Sequence, residues 1–265
     1  MLRKIILKLL KITARDISIT HHYNHEPFLL NSYNHKGYWY HGKKREQETV
    51  AVFKDWITNG DFVLEIGGHI GYFSTLYAHL VGETGKVVVF EPSFENLKYL
   101  TKNVQNVNAS LRNNIQLVQK GAGDIIGELD FYIDPISGQN NSFVKDFDGF
   151  KTSRELSAEQ DADVQVVKVP VITLDSFFEG ETSLPNFVKI DVEGFEWNVI
   201  QGFQKTIERG HPSLMIEIQA DADKIIPYFK SVGYTIYNDK MKEINNMEEY
   251  VTFRSPNIFF KYLQK

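Results

Sequence analysis

The stretch FVLEIGGHIGYFS (62–74) reads as strand, glycine-rich turn and helix, and its reading decides the fold. Phe62–Ile66 is a short apolar run. It ends in Gly67-Gly68-His69-Ile70-Gly71, and Tyr72–Val81 continues as a helix. Gly67 and Gly71 let the backbone pass close to a ligand and let the helix start against the strand. The helix start offers free N–H groups and a positive dipole end. Folds that bind nicotinamide dinucleotides also use such a turn, but two details separate this one. The full G-x-G-x-x-G is missing, and Glu65 sits inside the strand end just ahead of the glycines. A carboxylate there repels a pyrophosphate and suits an amino group or a sulfonium.

Outward from this corner the alternation continues. Lys86–Phe90 reads as a second buried strand and closes on Glu91 in VVVFEP. An acid at this place accepts hydrogen bonds from both ribose hydroxyls of an adenosine; the plainer reading is a helix-capping carboxylate before Pro92. Phe94–Asn106 reads as a second helix, with Asn96, Asn103 and Asn106 as its polar residues, and Ile115–Gln119 as a third strand. Phe187–Ile190 and Leu214–Ile218 are further strands, with a helix around Trp197–Glu208 between them. Near-continuous apolar strands alternating with helices predict an α/β fold with a mostly parallel sheet covered on both faces. Right-handed crossovers place the strand C-termini on one edge, where ligands bind. Tyr234–Tyr237 and Asn257–Tyr262 are strand-like and predict an antiparallel completion of the sheet. Glu46 to Asn59 reads as a helix closed by Asn59-Gly60.

Composition bounds the rest. The chain has 265 residues, 42% hydrophobic and 24% charged, which suits one α/β domain with an extension. A net charge of −5 argues against a nucleic-acid partner, which would need a broad basic surface. The absence of cysteine excludes disulfides, thiolate zinc sites and cysteine nucleophiles, and fits a cytoplasmic protein. In MLRKIILKLLKITARD the lysines at 4, 8 and 11 interrupt any spanning helix or signal segment. Lys4, Lys8, Lys11 and Arg15 share one helical face, and Leu2, Ile5, Ile6, Leu9 and Ile12 cover much of the other. The periodicity is that of an amphipathic helix packed on the core or on a second subunit; a helix lying on an anionic membrane surface is the alternative. Residues 20–45 read as irregular structure. Within them KGYWYHGKKR (36–45) is either a solvated loop or part of an acceptor pocket. An insertion at about 124–175 brings an antiparallel pair, Glu128–Ile133 with Val164–Val171, around a polar stretch, Ser137–Asp163, that is either a lid or a surface loop.

Three acids carry the expected chemistry. Asp191 and Glu193 emerge at the end of FVKIDVEG, and Glu217 at the end of SLMIEI. If those strands are neighbours, the carboxylates converge. One then acts as a base, or Asp191 and Glu217 bind a divalent cation such as magnesium. Lys189 points the same way as Asp191 by strand alternation and pairs with it. A structural charge network is the plainer alternative. His69 and His211 rank below the acids as bases, and Ser142 is a weak candidate for contact with acceptor or cofactor.

These residues give the chain a resemblance to the FkbM-type family of S-adenosylmethionine-dependent methyltransferases, from about Glu46 to Glu217. Besides 62–74 the matching motifs are VVVFEPSFENLKYLTKN (87–103), GAGDIIGELDFY (121–132), VITLDSF (171–177), FVKIDVEGFEWNVIQGF (187–203) and HPSLMIEI (211–218). The last two are the most specific. The resemblance implies a class I methyltransferase fold and O-methylation, mostly of sugars or secondary-metabolite hydroxyls. It implies S-adenosylmethionine held by Glu65, Gly67, His69, Gly71, Tyr72, Glu91, Pro92, Ala122, Gly123, Asp124 and Asp191. The first motif departs from the family's usual Asp and Gly-Ala-Asn, since Glu65 and Gly67-Gly68-His69 stand there.

The expectation is therefore a methyltransferase domain over 46–265 with an extension at 1–45. It acts on a hydroxyl of a small-molecule or glycan acceptor, in the cytoplasm or at a membrane periphery, as a monomer or homo-oligomer. Two rivals remain: an NAD(P)-dependent oxidoreductase on a similar sheet, and a non-catalytic binding module that keeps the fold.

Overall fold

The computed structural model describes residues 2–134, 136, 139–156, 163–253 and 255–263. The described residues hold twelve strands, β1 to β12 in chain order. Asp16–Thr20 (β1) and Pro27–Asn31 (β2) form an antiparallel hairpin. Phe62–Ile66 (β3), Lys86–Phe90 (β4), Ile115–Val118 (β5), Phe187–Ile190 (β9), Ser213–Glu217 (β10), Tyr234–Tyr237 (β11) and Asn257–Tyr262 (β12) form the main sheet. Gly121–Ala122 (β6), Gly127–Ile133 (β7) and Gln165–Ile172 (β8) form a small separate one.

The main sheet runs β11-β12-β10-β9-β3-β4-β5. β12 is antiparallel to both its neighbours, and the pairs among β10, β9, β3, β4 and β5 are parallel. The chain leaves β3 toward β4 and β5, then returns to β9 on the other side of β3. That reversal opens a crevice beyond the C-terminal ends of β3 and β9, where ligands of such sheets bind.

Alternation along the strands builds two cores. Val63, Val87, Val89, Phe187 and Met215 face one way, onto Val50 and Phe53 of helix Gln47–Trp56 and Tyr77 of helix Tyr72–Val81. Leu64, Ile66, Val88, Val188, Ile190 and Ile216 face the other, onto Ile200, Phe203 and Phe229. Both faces of the parallel strands are thus covered, which is why they read as near-continuous apolar runs.

Three expectations need correction, and a fourth falls partly outside the described residues. Residues 20–45 are not irregular, since they hold β2, a helix Lys36–His41 and a 3-10 turn Gly42–Arg45. The helix around Trp197–Glu208 is two, Glu196–Gln201 and Gln204–Gly210, broken at Gly202, where a Cβ would lie 1.9 Å from the Gly123 carbonyl oxygen. The N-terminal segment is a helix, Leu2–Ile12, but its apolar face is not packed on the core: Ile6, Leu9 and Ile12 are 53%, 58% and 82% exposed. The polar stretch 137–163 falls partly outside the described residues; helix Asp148–Leu156 lies within it. No described helix is long and apolar enough to cross a membrane.

Candidate active site

A continuous cleft of about 1300 Å³, part of it open to solvent, runs along the C-terminal ends of β4, β3, β9 and β10. Glu65, Gly67, His69, Tyr72, Glu91, Pro92, Ala122, Asp191, Glu193 and Glu217 all line it. Gly71, Gly123 and Asp124 do not line it. Gly71 packs on Leu100, buried Gly123 lies against Phe195, and Asp124 is exposed.

The corner glycines serve chain packing more directly than ligand approach. Gly67 has φ +85, and a Cβ there would lie 1.9 Å from the Asp191 carbonyl oxygen. Gly71, φ +88, would meet Leu100 at 2.6 Å. Both positions demand glycine by conformation and by space. Gly67 therefore lets the first corner touch the backbone of the acid-bearing turn.

Two buried acids anchor this half. Glu65 is 1% exposed; its Oε2 accepts from Ser74 Oγ at 2.5 Å and its Oε1 lies 3.8 Å from Lys189 Nζ. Burial pushes its carboxyl up to about 7, against the opposing pull of Lys189. Lys189 is also buried and donates to Asp191 Oδ2 at 2.9 Å and to the Gly67 carbonyl at 3.2 Å. Burial would lower its pKa, but the Asp191 and Glu65 carboxylates outweigh that and raise it. The pairing expected from strand alternation is present. Glu91 is held differently. Its Oε1 accepts from Ser93 N–H at 2.8 Å and from Asn96 Nδ2 at 3.3 Å, and its Oε2 from His69 N–H at 2.6 Å. Burial again raises the group, to about 7, against those donors. Ser93, not Glu91, caps helix Phe94–Asn106.

The other half gathers acids. β9 and β10 are parallel neighbours with Ile190 opposite Ile216, so Asp191 and Glu217 leave the sheet side by side. Glu193 follows at φ +54, an unusual conformation for a non-glycine residue. Gln219 Nε2 donates to Glu193 Oε2 at 3.3 Å and to Glu217 Oε1 at 3.1 Å. The Asp191 charge, then burial, pushes Glu217 up to about 8. Burial, with Asp191 and Glu217 close by, raises Glu193 well above the carboxylate range. Asp191 Oδ1 has no partner among the described hydrogen bonds.

Several candidates change role. Ser142 is fully buried and donates to the Glu193 carbonyl at 2.6 Å, so it fastens the insertion to the acid-bearing turn. Asn103 donates to the carbonyls of Leu29 and Ile70 and so ties β2 to the glycine-rich turn. Asn106 donates to the Pro27 carbonyl. His211 lies before β10, at the opposite end of the strand from Glu217, where its ring stacks on Tyr262 at 3.9 Å; it cannot act as base in the cleft. A metal does not fit Asp191 and Glu217: Asp191 Oδ2 already carries the Lys189 ammonium, and the described residues hold no group of three or more His, Asp or Glu able to bind an ion.

Sequence reasoning missed Glu46, Lys120, Phe143, Gln219 and Asn257, all of which line the cleft. It also left Tyr38 undecided; this residue is buried and hydrogen-bonded to His69 Nδ1 at 3.1 Å. Glu196, fully buried, accepts from Gly194 N–H at 2.8 Å and holds the turn carrying Glu193. The register of β12 against β10, which places Asn257 opposite Glu217, is the signal that finds Asn257.

The Methyltransferase FkbM domain family matches residues 65–236, more than half of the chain. The chain belongs to the FkbM methyltransferase family. A second family, protein-L-isoaspartate(D-aspartate) O-methyltransferase, matches residues 2–125. The chain is similar to hexuronic acid methyltransferase AglP of Haloferax volcanii, at 22% identity over 212 residues, covering 80% of this chain and 78% of that protein. It is similar in structure to an FkbM methyltransferase from Methylobacillus flagellatus KT, with TM-score 0.50 and 17% identity. That alignment covers 77% of this chain and spans only 44% of the other. An rRNA methylase fold from Clostridium thermocellum aligns with TM-score 0.45 and 14% identity, over 83% of this chain and 96% of that one. The fold is the class I methyltransferase fold.

The lining of this FkbM domain fits S-adenosylmethionine. Glu91 Oε2 accepts one protein hydrogen bond and keeps a lone pair for a ribose hydroxyl. Pro92, Ala122 and Phe143 supply apolar surface for a flat base. Asp191 supplies negative charge for a sulfonium.

Proposed function

We propose that the chain transfers a methyl group from S-adenosylmethionine to a hydroxyl of a sugar or related small metabolite. The reading rests on one observation: the acid-bearing turn of β9 touches the glycine corner of β3 backbone to backbone, with Lys189 bonded to both. Glu91 would hold the ribose, and Gly67, His69 and Tyr72 the end of the cleft near β3. The bound donor supplies a methyl already activated on sulfur.

The remaining work falls to the chain. An alcohol is a weak nucleophile, and a positioned base typically contributes ~10²–10⁴-fold. Asp191 takes the hydroxyl proton on Oδ1, while Lys189 fixes its other oxygen. Glu193 and Glu217 flank it, and burial together with the Asp191 charge pushes both carboxyls up, which makes them poorer sources of negative charge beside it. Alignment of acceptor oxygen, methyl and sulfur can supply ~7–11 kcal/mol. Support for a sugar acceptor comes from the hexuronic acid specificity in the name of the relative from Haloferax volcanii.

The test is mass spectrometry of purified protein incubated with S-adenosylmethionine and a panel of glycans and monosaccharides. One added methyl on a sugar oxygen is expected; binding of NAD with none of S-adenosylmethionine would overturn the reading. We take 46–265 as the catalytic domain and 1–45 as an extension of it, in the cytoplasm. The exposed Ile6, Leu9 and Ile12, beside Lys8 and Lys11, support peripheral contact with an anionic bilayer. Co-sedimentation with phosphatidylglycerol vesicles that survives Ile6→Ser/Leu9→Ser would remove that role. A second copy of the chain covering the same face would instead appear as a dimer in light scattering.

A further inference from the structure

The main cleft does not end at the acids. A second chamber of about 890 Å³, partly open to solvent, adjoins it, and Asn140, Glu193 and Gln219 line both. Glu193 and Gln219 follow β9 and β10, whereas Glu91 follows β4. The junction therefore lies on the Asp191 side of the cleft, where the acceptor belongs, and away from the ribose end.

The chamber has two built walls. One is the acid-bearing turn with Gln219 and Ala220; the other is the insertion from Val144 to Thr152. Gly194 has φ +94, and a Cβ there would lie 3.0 Å from Phe147 Cδ2, so the ring of Phe147 sits directly on the turn. Asn140 Nδ2 donates to the Gly149 carbonyl at 3.2 Å and to Ser153 Oγ at 2.6 Å, and Ser153 Oγ donates to the buried Asp134 at 2.8 Å. These bonds hold the insertion wall in shape.

Its chemistry is mixed. Half-buried Phe147 and Val144 offer apolar surface, while Asp146, Thr152 and Gln219 line the same space with exposed polar side chains. A pyranose ring has the matching two-sidedness, with C–H groups on its faces and hydroxyls around its edge. An aromatic ring takes the first; carboxylates, hydroxyls and amides take the second. The volume falls within the ~300–1,000 Å³ of small-molecule sites. Resting on the methyltransferase reading above, we infer that this chamber is a second sugar subsite. The acceptor is a disaccharide or longer glycan whose reacting unit lies beside Asp191 and whose neighbouring unit packs on Phe147.

A printed array of mono-, di- and trisaccharides and aryl glycosides, probed with labelled protein saturated with S-adenosylhomocysteine, tests this. The strongest signals should come from di- or trisaccharides and exceed those of their constituent monosaccharides by about tenfold or more. Thr152→Trp, at an exposed site on helix Asp148–Leu156, fills the chamber and should cut these signals to the monosaccharide level. Phe147→Ala should weaken them about fivefold. Unchanged S-adenosylhomocysteine affinity by calorimetry shows that both variants are folded. Strongest signals from monosaccharides or aryl glycosides overturn the inference. So does silence of every sugar on protein that binds S-adenosylhomocysteine, or indifference of the glycan signals to Thr152→Trp. Methylation of monosaccharides as fast as of longer glycans would sink the subsite and leave the methyltransferase reading standing. Failure to bind S-adenosylhomocysteine would instead fall on the donor assignment and take the inference with it.

Discussion

The two halves of the cleft handle buried acids in opposite ways. On the β3–β4 side, Glu65 and Glu91 each have donors supplied by the protein: an ammonium and a hydroxyl for one, two backbone N–H groups and an amide for the other. On the β9–β10–β12 side, Asp191, Glu193 and Glu217 crowd together with one lysine and one glutamine between them, and Asn257 keeps an open oxygen. The first half is largely complete in itself, as suits a constant ligand. The second is complete only with a partner that brings protons, as suits a variable one.

The contrast breaks most sharply at Asp191. Asp191→Asn should lower kcat by ~10²–10⁴-fold and leave S-adenosylhomocysteine affinity within about tenfold, since the change removes a base but keeps the fold of the first half. Calorimetry beside steady-state kinetics separates these. Normal turnover would remove Asp191 from the role given to it.

Lys189→Met tests whether the first half is internally balanced. It strands the buried Glu65 carboxyl and should cost ~3–5 kcal/mol of stability in urea unfolding. A loss under about 1 kcal/mol would mean that Glu65 is already neutral and unpaired in effect. Glu91→Ala, by contrast, should weaken S-adenosylhomocysteine binding through ~1–3 kcal/mol of lost hydrogen bonding, with KM for the acceptor unmoved.

The smallest effect is in pH. Glu65 and Glu91 are raised to about 7 and Glu217 to about 8, all from 4.5. The folded state thus holds protons that the unfolded state has released, and stability should fall as pH rises through this range, levelling off above 8. Urea midpoints measured across this range give the slope. Glu217→Gln should flatten its upper part; a midpoint that climbs with pH would contradict the burial of these acids as uncompensated.

How much of this was legible in the sequence follows the same divide. The parallel strands announce themselves because burial on both faces makes each a local apolar run, and Asp191, Lys189 and Glu217 follow from alternation and neighbouring register. Asn257, Glu46 and Tyr38 did not, because each enters the cleft from an element whose placement depends on distant pairing. The β1–β2 hairpin was missed because both strands are short and half-exposed, so their alternation is weak. His211 was overrated because sequence nearness to β10 says nothing about which end of a strand a residue occupies. The glycine corner was placed correctly, yet its physical reason differed: the missing Cβ at Gly67 makes room for Asp191, not only for a ligand.

That seam between Gly67 and the Asp191 carbonyl has a practical consequence for redesign. No side chain separates the two turns, so neither can be lengthened or re-angled alone without displacing the other. New acceptor preferences should therefore be sought in libraries at Asn257, Glu46 and the 139–141 amides, which border the cleft without forming the seam. Variants drawn from these positions should fold and differ in what they accept, whereas those drawn from 66–68 or 190–192 should be culled at expression.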